Sequence, residues 1–284
     1  MSYVVTGATG PLGRGVVESL LECGIDPAEI VATGRSVEKL VDLAERGVRA
    51  ERLDFDDVPE AVDWLGADDV LLLVSGSEVG RRVPQHQAVV DLAVRSGVRR
   101  LVYTSAPKAD DTTLAVAPEH AATEALIRAS GLPFTFLRNG WYTENYLPAF
   151  EQARAAGVVV TSAGDGRVAS APRSDYAEAA AVVLSSDGHE GAVYELFGDV
   201  AWSFADLAAV FADVLGREVA LQSLSAEDHR AALLGAGLDE GTAGFLVALD
   251  QNIADGLLGL TTGDLSGLLG RPTVPLKDTV SSWA

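Results

Sequence analysis

Short apolar runs alternate with segments of helical periodicity through the first half of the chain. Six segments predict strands, at residues 3–6, 30–34, 48–53, 70–74, 99–104 and 134–137. The intervening segments begin near Ser or Pro and end near Gly, as helices do: about 12–21, Ser36–Gly47, Pro59–Gly66, Pro84–Gly97 and Pro118–Gly131. Buried strands joined by such helices are typical of a parallel sheet covered on both faces. We therefore predict an α/β fold, a Rossmann-type doubly wound parallel sheet.

The pattern changes after Asn139. Helices are predicted from about Tyr146 to Ala156, from Ser174 to Ser186 and from the capping-box-like Ser203-x-x-Asp206 to Gly216, and Ser225 and Thr262 are candidate caps of later helices. Short strands are predicted at 158–161, 193–196 and 218–222, with a hairpin turn at Gly164-Asp-Gly166. We predict a Rossmann domain of residues 1–140, which also takes in about 174–197. Residues 141–284 form a smaller, mainly helical lobe packed on it.

The turn after the first strand is rich in glycine and leads directly into a helix. Glycine lets a pyrophosphate approach closely, and the free N–H groups and dipole of the helix start attract an anion. Proline at a helix start loses no hydrogen bond. This context predicts a dinucleotide phosphate site formed by Gly7, Thr9, Gly10, Pro11, Leu12 and Gly13.

The end of the second strand predicts which dinucleotide binds. A carboxylate there would accept a hydrogen bond from the ribose 2′-OH, but the chain has Arg35 followed by Ser36, with Lys39 one turn later. An arginine suits a 2′-phosphate, so NADPH is predicted, with NADH as the weaker alternative. The carboxyl ends of the other strands complete the predicted cofactor site, with Asp54, Phe55, Ser75, Gly76, Thr104, Ser105 and Asn139.

Charge and composition restrict the partners. The net charge of −20 argues against nucleic acid and anionic membranes, because both require basic surface. No apolar run reaches the length of a membrane span, and the opening residues do not follow the pattern of a secretion signal, so secretion is not expected. The single Cys23 excludes an internal disulfide, and its place at the first helix predicts that it packs in the core. A cytoplasmic location fits best, and a homodimer is left open.

The usual catalytic pair of short-chain dehydrogenases is missing. Those enzymes place a lysine four residues after a tyrosine on one helix, and no tyrosine here has that partner. Ser105 lies where their helper serine is expected. His120 and Glu124 are one helical turn apart, as a pair that binds ligand or passes a proton, or as a plain surface pair. The remaining histidines lack companions at metal-ligand spacing, so no metal is predicted. No hydrolase elbow is present and the lone cysteine lacks a nucleophile's setting, so no covalent nucleophile is predicted.

A segment rich in aromatic and amide side chains follows the sixth strand. Its sequence is Asn139-Gly-Trp-Tyr-Thr-Glu-Asn-Tyr146. Flat aromatic rings and amides at the mouth of the cleft suit a conjugated acceptor that stacks and accepts hydrogen bonds. We predict Trp141, Tyr142 and Asn145 as substrate contacts. The alternative is that the segment only wedges the two lobes together.

Many short motifs together resemble one family, the NmrA-like atypical short-chain dehydrogenases, and within it the NAD(P)H:quinone oxidoreductase type 2 and triphenylmethane reductase group. The resemblance spans nearly the whole chain. It rests on Thr6-Gly-Ala-Thr-Gly-Pro-Leu-Gly13, Arg35, Ser77-Glu-Val-Gly80, Pro84-Gln-His86, Tyr103-Thr-Ser105, Glu119-His120, Thr123-Glu124, Leu137-Arg-Asn-Gly-Trp-Tyr142, Glu144-Asn-Tyr146, Ala163-Gly-Asp-Gly166, Arg173-x-Asp175-Tyr-Ala177, Gly188-His-Glu-Gly191, Tyr194-Glu-Leu196 and Gly270-Arg-Pro272.

The resemblance implies direct hydride transfer from NADPH to a quinone or similar acceptor, without flavin or metal. His120 stands where many members carry a lysine, so their lysine-based proton chemistry does not transfer. We expect the acceptor to stack on Trp141 or Tyr142, and the catalytic candidates Asn139, His120 or Tyr146 to steady the developing oxyanion. The alternative within the family is an NADP-binding redox sensor without turnover. A sugar-nucleotide enzyme is weaker, because it needs the missing tyrosine.

Overall fold

Seven parallel strands form the central sheet of the computed structural model, which describes residues 1–284. The whole chain contains thirteen strands: β1 Tyr3–Val5, β2 Ile30–Gly34, β3 Arg49–Arg52, β4 Val70–Leu73, β5 Arg100–Ser105, β6 Phe134–Asn139, β7 Trp141–Tyr142, β8 Val158–Thr161, β9 Arg167–Val168, β10 Ser170–Ala171, β11 Val193–Leu196, β12 Trp202–Ser203 and β13 Ala220–Ser223. The helices are α1 Pro11–Glu22, α2 Val41–Glu45, α3 Arg82–Ser96, α4 Ala117–Ala129, α5 Leu147–Ala156, α6 Arg173–Ser185, α7 Phe204–Leu215, α8 Ala226–Gly235, α9 Glu240–Ala254, α10 Asp264–Leu269 and α11 Leu276–Ser281.

The sheet order is β3-β2-β1-β4-β5-β6-β11, and every neighbouring pair is parallel. The chain winds outward from β1 to β3, then returns to place β4 on the other side of β1. Tyr3 therefore has Ile30 as its register partner on one side and Val70 on the other. This reversal creates a crevice at the carboxyl ends of the strands, where ligands of such sheets bind. The predicted Rossmann-type sheet is confirmed.

Both faces of the sheet are buried along its central strands. Side chains alternate along β1, so Tyr3 and Val5 lie in one core of 26 buried residues and Val4 in another of 16. The first core lies beneath α1 and α6, which pack on each other, and the second beneath α3 and α4. The central strands β1, β2, β4, β5 and β6 are mainly apolar because neither of their faces meets water, whereas the edge strands β3 and β11 are partly exposed.

A third core of 17 buried residues is formed mostly by the second half of the chain, with Leu114 and Ala117 from the first half. Phe150 of α5 and Phe211 of α7 meet edge to face at 5.2 Å between ring centroids. The short pairs β8–β13, β9–β12 and β7–β10 frame this region. Leu265 of α10, however, belongs to the first core. The division into residues 1–140 with 174–197 and residues 141–284 stays a prediction.

Several local predictions were wrong. Residues 59–66 are not helical, because so short a segment gains little from one or two turns; instead Trp64 and Leu65 are buried in the second core. The Gly164-Asp-Gly166 turn is not a hairpin, since β8 pairs with β13 and β9 with β12. Cys23 is exposed, because it follows the last residue of α1.

The helix predicted from Ser36 is also different from expectation. It is a 3₁₀ segment, Val37–Leu40, followed by the single-turn α2, and the Ser36 side chain makes no capping bond. The capping box of Ser203 and Asp206 is confirmed, as are the left-handed glycines that end α3 and α7 at Gly97 and Gly216. None of the helices combines the length and apolar character that crossing a membrane requires.

Candidate active site

A cleft lies at the carboxyl ends of β1 to β4, where the strand order reverses. Side chains from α3 and from the second half of the chain close it. The predicted residues that line it are Gly7, Thr9, Gly10, Pro11, Leu12, Gly13, Arg35, Asp54, Phe55, Ser75, Gly76 and Tyr142. Lining residues that the sequence analysis did not name as site residues are Gly34, Leu53, Val74, Ser77, Glu78, Arg82, Gln85 and Arg173.

The glycine turn has the geometry of a phosphate cradle. Gly7 has a φ of +62°, and a Cβ on Gly13 would lie 2.5 Å from the Gly7 carbonyl oxygen. The first helical hydrogen bond of α1 runs from Arg14 N to Gly10 O at 3.0 Å. The amides of Leu12 and Gly13 precede it and have no acceptor within the helix, so they can serve an anion. The turn therefore fits a dinucleotide pyrophosphate.

Arg35 stands at the end of β2 with most of its side chain exposed. Its Nη1 lies 3.1 Å from Oε1 of Glu78, a residue of the loop after β4. Glu78 also accepts from Arg81 Nη1 at 3.0 Å. Arg35, predicted to bind the 2′-phosphate, thus lines the cleft, but a carboxylate already contacts it. Lys39 is exposed and lies outside the cleft lining.

Two side chains from α3 hold the peptide groups of Gly76. Nε2 of His86 accepts from the Gly76 amide at 2.9 Å, and Nε of Arg82 donates to the Gly76 carbonyl at 2.5 Å. Arg82 also reaches Glu119 at 3.5 Å. Because Gly76 lines the cleft, these contacts fix the path of the chain where the cofactor is expected to pass.

The hydrogen bonds of His86 define its tautomer. Oγ1 of Thr123 donates to the Glu119 carbonyl at 2.8 Å, so it accepts from Nδ1 of His86 at 3.0 Å. Nδ1 therefore carries the proton and Nε2 is free to accept from Gly76. Burial and the nearby Arg82 lower the pKa of His86 to about 4, which keeps the ring neutral near pH 7.

Thr104 and Ser105 lie at the end of β5, behind the cleft lining. Oγ1 of Thr104 accepts from the Ser75 amide at 2.8 Å, so it supports a lining residue rather than lining the cleft. Oγ of Ser105 donates to Glu124 at 2.7 Å. Glu124 in turn forms a two-bonded pair with Arg138, at 2.8 and 2.7 Å. Ser105 is therefore part of a buried hydrogen-bond network with Glu124 and Arg138.

The predicted pairing of His120 with Glu124 was wrong, because each side chain has a different buried partner. Nδ1 of His120 lies 2.8 Å from the Tyr103 hydroxyl, while Glu124 binds Arg138. Burial, with Arg82 and His86 nearby, lowers the pKa of His120 to about 3. Burial also raises the pKa of Tyr103. Both groups are therefore uncharged near neutral pH.

The segment 139–146 divides between the cleft and the third core. Tyr142 lines the cleft, and its hydroxyl accepts from Asn139 Nδ2 at 3.0 Å. The Arg173 guanidinium lies 5.1 Å from the Tyr142 ring centroid. Trp141 packs against the third core, and the buried Tyr146 meets Trp202 edge to face at 4.8 Å.

Three buried polar atoms of this segment have no hydrogen-bond partner: Asn139 Oδ1, Trp141 Nε1 and Tyr146 Oη. Buried polar atoms without partners are rare and require a reason, such as a ligand or water that completes them. Burial raises the pKa of Tyr146, so its hydroxyl stays protonated. Asn145 is exposed and does not line the cleft.

His229, Asp250 and Ser162 form a polar cluster outside the cleft that superficially resembles a catalytic triad. Nδ1 of His229 contacts both Ser162 Oγ at 2.9 Å and Asp250 Oδ2 at 3.2 Å, and Ser162 also donates directly to Asp250 at 3.1 Å. A triad needs serine and aspartate on different ring nitrogens. The cluster instead joins α8 and α9 to the end of β8. No group of three or more His, Cys, Asp or Glu side chains is arranged to hold a metal ion.

Comparison with known proteins agrees with this geometry. The NAD(P)H-binding family matches residues 7–187. Quinone oxidoreductase 2 of Escherichia coli is 44% identical over 277 residues, which cover 98% of this chain and 96% of that protein. The chain belongs to the NAD(P)H-binding, NmrA-like family. The resemblance read from the sequence is confirmed.

Two solved structures of family members share the whole fold. The E. coli NADPH-dependent quinone oxidoreductase in complex with NADPH superimposes with a TM-score of 0.93, at 44% identity, over 99% of both chains. The Citrobacter sp. triphenylmethane reductase in complex with NADP(H) has a TM-score of 0.93, at 35% identity, over 100% of both chains. Family membership thus extends beyond the sheet to the second half of the chain.

Proposed function

We propose that this protein is an NADPH-dependent oxidoreductase that reduces a quinone or a similar conjugated acceptor. The observation that carries the proposal is a single cleft in which the glycine cradle, Arg35 and Tyr142 line the same space. The relatives with this fold are named for quinone and triphenylmethane reduction and form complexes with NADPH or NADP(H). The cleft and the relatives together support both the cofactor and the class of acceptor.

The cofactor is held by the chain's own groups. The amides of Leu12 and Gly13 bind the pyrophosphate, and Arg35 binds the 2′-phosphate through its planar guanidinium. Asp54 and Phe55 lie at the end of β3, where they border the adenine half, and Ser75 and Gly76 border the path toward the nicotinamide. When bound, NADPH supplies the hydride.

The acceptor is held by Tyr142, the residue of the segment 139–146 that lines the cleft, and by Arg173. Tyr142 offers an aromatic ring whose orientation is fixed by Asn139 and by Arg173. Trp141 supports this arrangement from the third core. Stacking an acceptor against a fixed ring favours reaction mainly by orientation, since the reacting groups need little further ordering. Asn145 stays a predicted contact that the geometry does not favour.

The developing oxyanion needs hydrogen-bond donors rather than a strong acid. Of the predicted donors, Asn139 adjoins the cleft through its hydrogen bond to Tyr142. Tyr146 and His120 are neutral near pH 7 but do not line the cleft, so they stay predictions that the geometry does not favour. Because the pKa of His120 is so low, an imidazolium is not the proton source. Water or another weak acid then protonates the reduced acceptor.

The experiment is NADPH oxidation by purified protein shown to lack flavin, with a benzoquinone or a naphthoquinone as acceptor. We expect NADPH absorbance to fall in step with quinol formation. A Gly13→Ala variant purified in the same way should be inactive. Tight NADPH binding without turnover across a panel of quinones would instead favour the redox-sensor alternative. A cytoplasmic location and a homodimer stay predictions.

A further inference from the structure

The ion pair between Arg35 and Glu78 joins two loops of the sheet that are 43 residues apart in sequence. Both residues line the cofactor cleft. Glu78 is the more buried partner, with a third of its side chain exposed against nearly two-thirds for Arg35. The contact therefore places a carboxylate beside the group expected to bind the 2′-phosphate, although the end of β2 itself has no acid.

The other carboxylate in the cleft lining is directed elsewhere. Oδ1 of Asp54 accepts from the Asp56 amide at 3.2 Å, and Oδ2 lies 3.5 Å from Arg52. Arg81 contacts Glu78, but its other contact is to Asp56 at 2.8 Å, outside the cleft lining. Glu78 is thus the acidic group that faces Arg35.

We propose that Glu78 sets the balance between the two nicotinamide dinucleotides. It competes with the 2′-phosphate of NADPH for the Arg35 guanidinium and offers the ribose 2′-OH of NADH a carboxylate acceptor. The physical reason is charge: a phosphate brought to Arg35 also meets the negative Glu78, whereas a hydroxyl donates to it. Glu78 is therefore a specificity-determining residue that moderates the preference imposed by Arg35.

This inference rests on the proposed use of NADPH, and the test distinguishes failure of the Glu78 role from failure of the proposed function. The Glu78→Gln variant keeps the shape of the side chain and removes its charge. Dissociation constants for NADPH and NADH are measured by titration calorimetry on the protein without acceptor, so catalysis does not enter. Adenosine 2′,5′-bisphosphate and AMP serve as probes of the adenosine half alone.

We expect Glu78→Gln to bind NADPH roughly threefold more tightly and to shift the NADPH/NADH affinity ratio by about tenfold. The gain should shrink as salt is raised, because exposed charges are screened. Asp56→Asn is the matched control: it removes one nearby negative charge that contacts Arg81 and Gln85 but not Arg35. Its affinity ratio should stay within about twofold of the unaltered protein.

A double-mutant cycle decides whether Glu78 acts through Arg35. In the Arg35→Gln background, Glu78→Gln should no longer improve NADPH binding. Unchanged or weaker NADPH binding in the single Glu78→Gln variant would overturn the inference, as would an equal gain in Asp56→Asn. If the unaltered protein binds neither dinucleotide, the proposed function itself fails.

Discussion

The amide of Gly76 donates to Nε2 of the fully buried His86 at 2.9 Å, which fixes a peptide of the cofactor cleft from behind. The other ring nitrogen donates to Thr123, so the ring must be neutral with its proton on Nδ1. Protonation of Nε2 would replace an acceptor by a second donor facing the amide. The path of the cleft is therefore coupled to the charge of one histidine.

Stability should fall on acidification because of this histidine. Its pKa is about 4 in the folded protein and near 6.5 when unfolded, so the unfolded chain binds more protons between these values. The free energy of unfolding should decrease as pH falls from about 6.5 to 4, by up to roughly 3 kcal/mol from His86. His86→Asn keeps an acceptor for Gly76 but cannot ionise, and should reduce this part of the slope, leaving the contribution of His120, whose pKa is about 3. Urea midpoints measured between pH 7 and 4 test this; identical slopes would contradict it.

Gly13→Ala should abolish cofactor binding and destabilise the fold. A Cβ at this position would lie 2.5 Å from the Gly7 carbonyl oxygen and 2.7 Å from its carbon, and backbone atoms cannot move aside locally. We expect a loss of about 1–3 kcal/mol. Gly244→Ala in α9 meets nothing within 4 Å and should be neutral or stabilising. Thermal unfolding with and without NADPH compares them, and a Gly13→Ala protein that NADPH still stabilises would refute the cradle.

Arg35→Asp should weaken NADPH binding far more than NADH binding. The change replaces a cation by an acid next to Glu78, so a 2′-phosphate meets two carboxylates. We expect a loss of at least about 100-fold for NADPH, and no more than a few-fold for NADH. Titrations followed by nicotinamide fluorescence give both constants. Equal weakening of the two dinucleotides would remove Arg35 from the 2′-phosphate site.

Removing the carboxylate of Glu124 should be strongly destabilising. Glu124 and Arg138 are 2% and 6% exposed, and hydrogen bonds to Glu124, Asp110 and Glu195 raise the pKa of Arg138 against the opposing effect of burial. Glu124→Ala leaves part of a buried guanidinium uncompensated, at a cost of about 3–5 kcal/mol. Asp187→Ala, which breaks an exposed pair with Arg99, should cost under about 1 kcal/mol. Comparable losses in urea denaturation would contradict this contrast.

The ring of Tyr142, not its hydroxyl, should govern acceptor binding. Tyr142→Ala removes the stacking surface and should raise the KM for quinone by roughly tenfold while leaving the NADPH dissociation constant within about threefold. Tyr142→Phe keeps the ring beside Arg173 and loses only the hydroxyl that accepts from Asn139. Its KM should stay close to that of the unaltered protein. Steady-state kinetics would disprove stacking if both variants behaved alike.

Local patterns along the chain are enough to predict the sheet and one half of the site. Apolar strands, helix-capping residues and the glycine turn act through local backbone preferences and through periodic burial, which are readable along the chain. The same local logic identified Arg35 at the end of β2. It failed at residues 59–66, where burying Trp64 and Leu65 mattered more than local helix signals.

Which side chains meet depends on the folding of the whole chain. Glu78 contacts Arg35, which is 43 residues away in sequence. Glu124 pairs with Arg138 instead of His120, and His120 pairs with Tyr103. No periodicity encodes these contacts, because they depend on how separate strands are ordered in the sheet and how their loops converge. The glycine turn follows from the local sequence, whereas the pairing of charged side chains around it depends on how the chain folds.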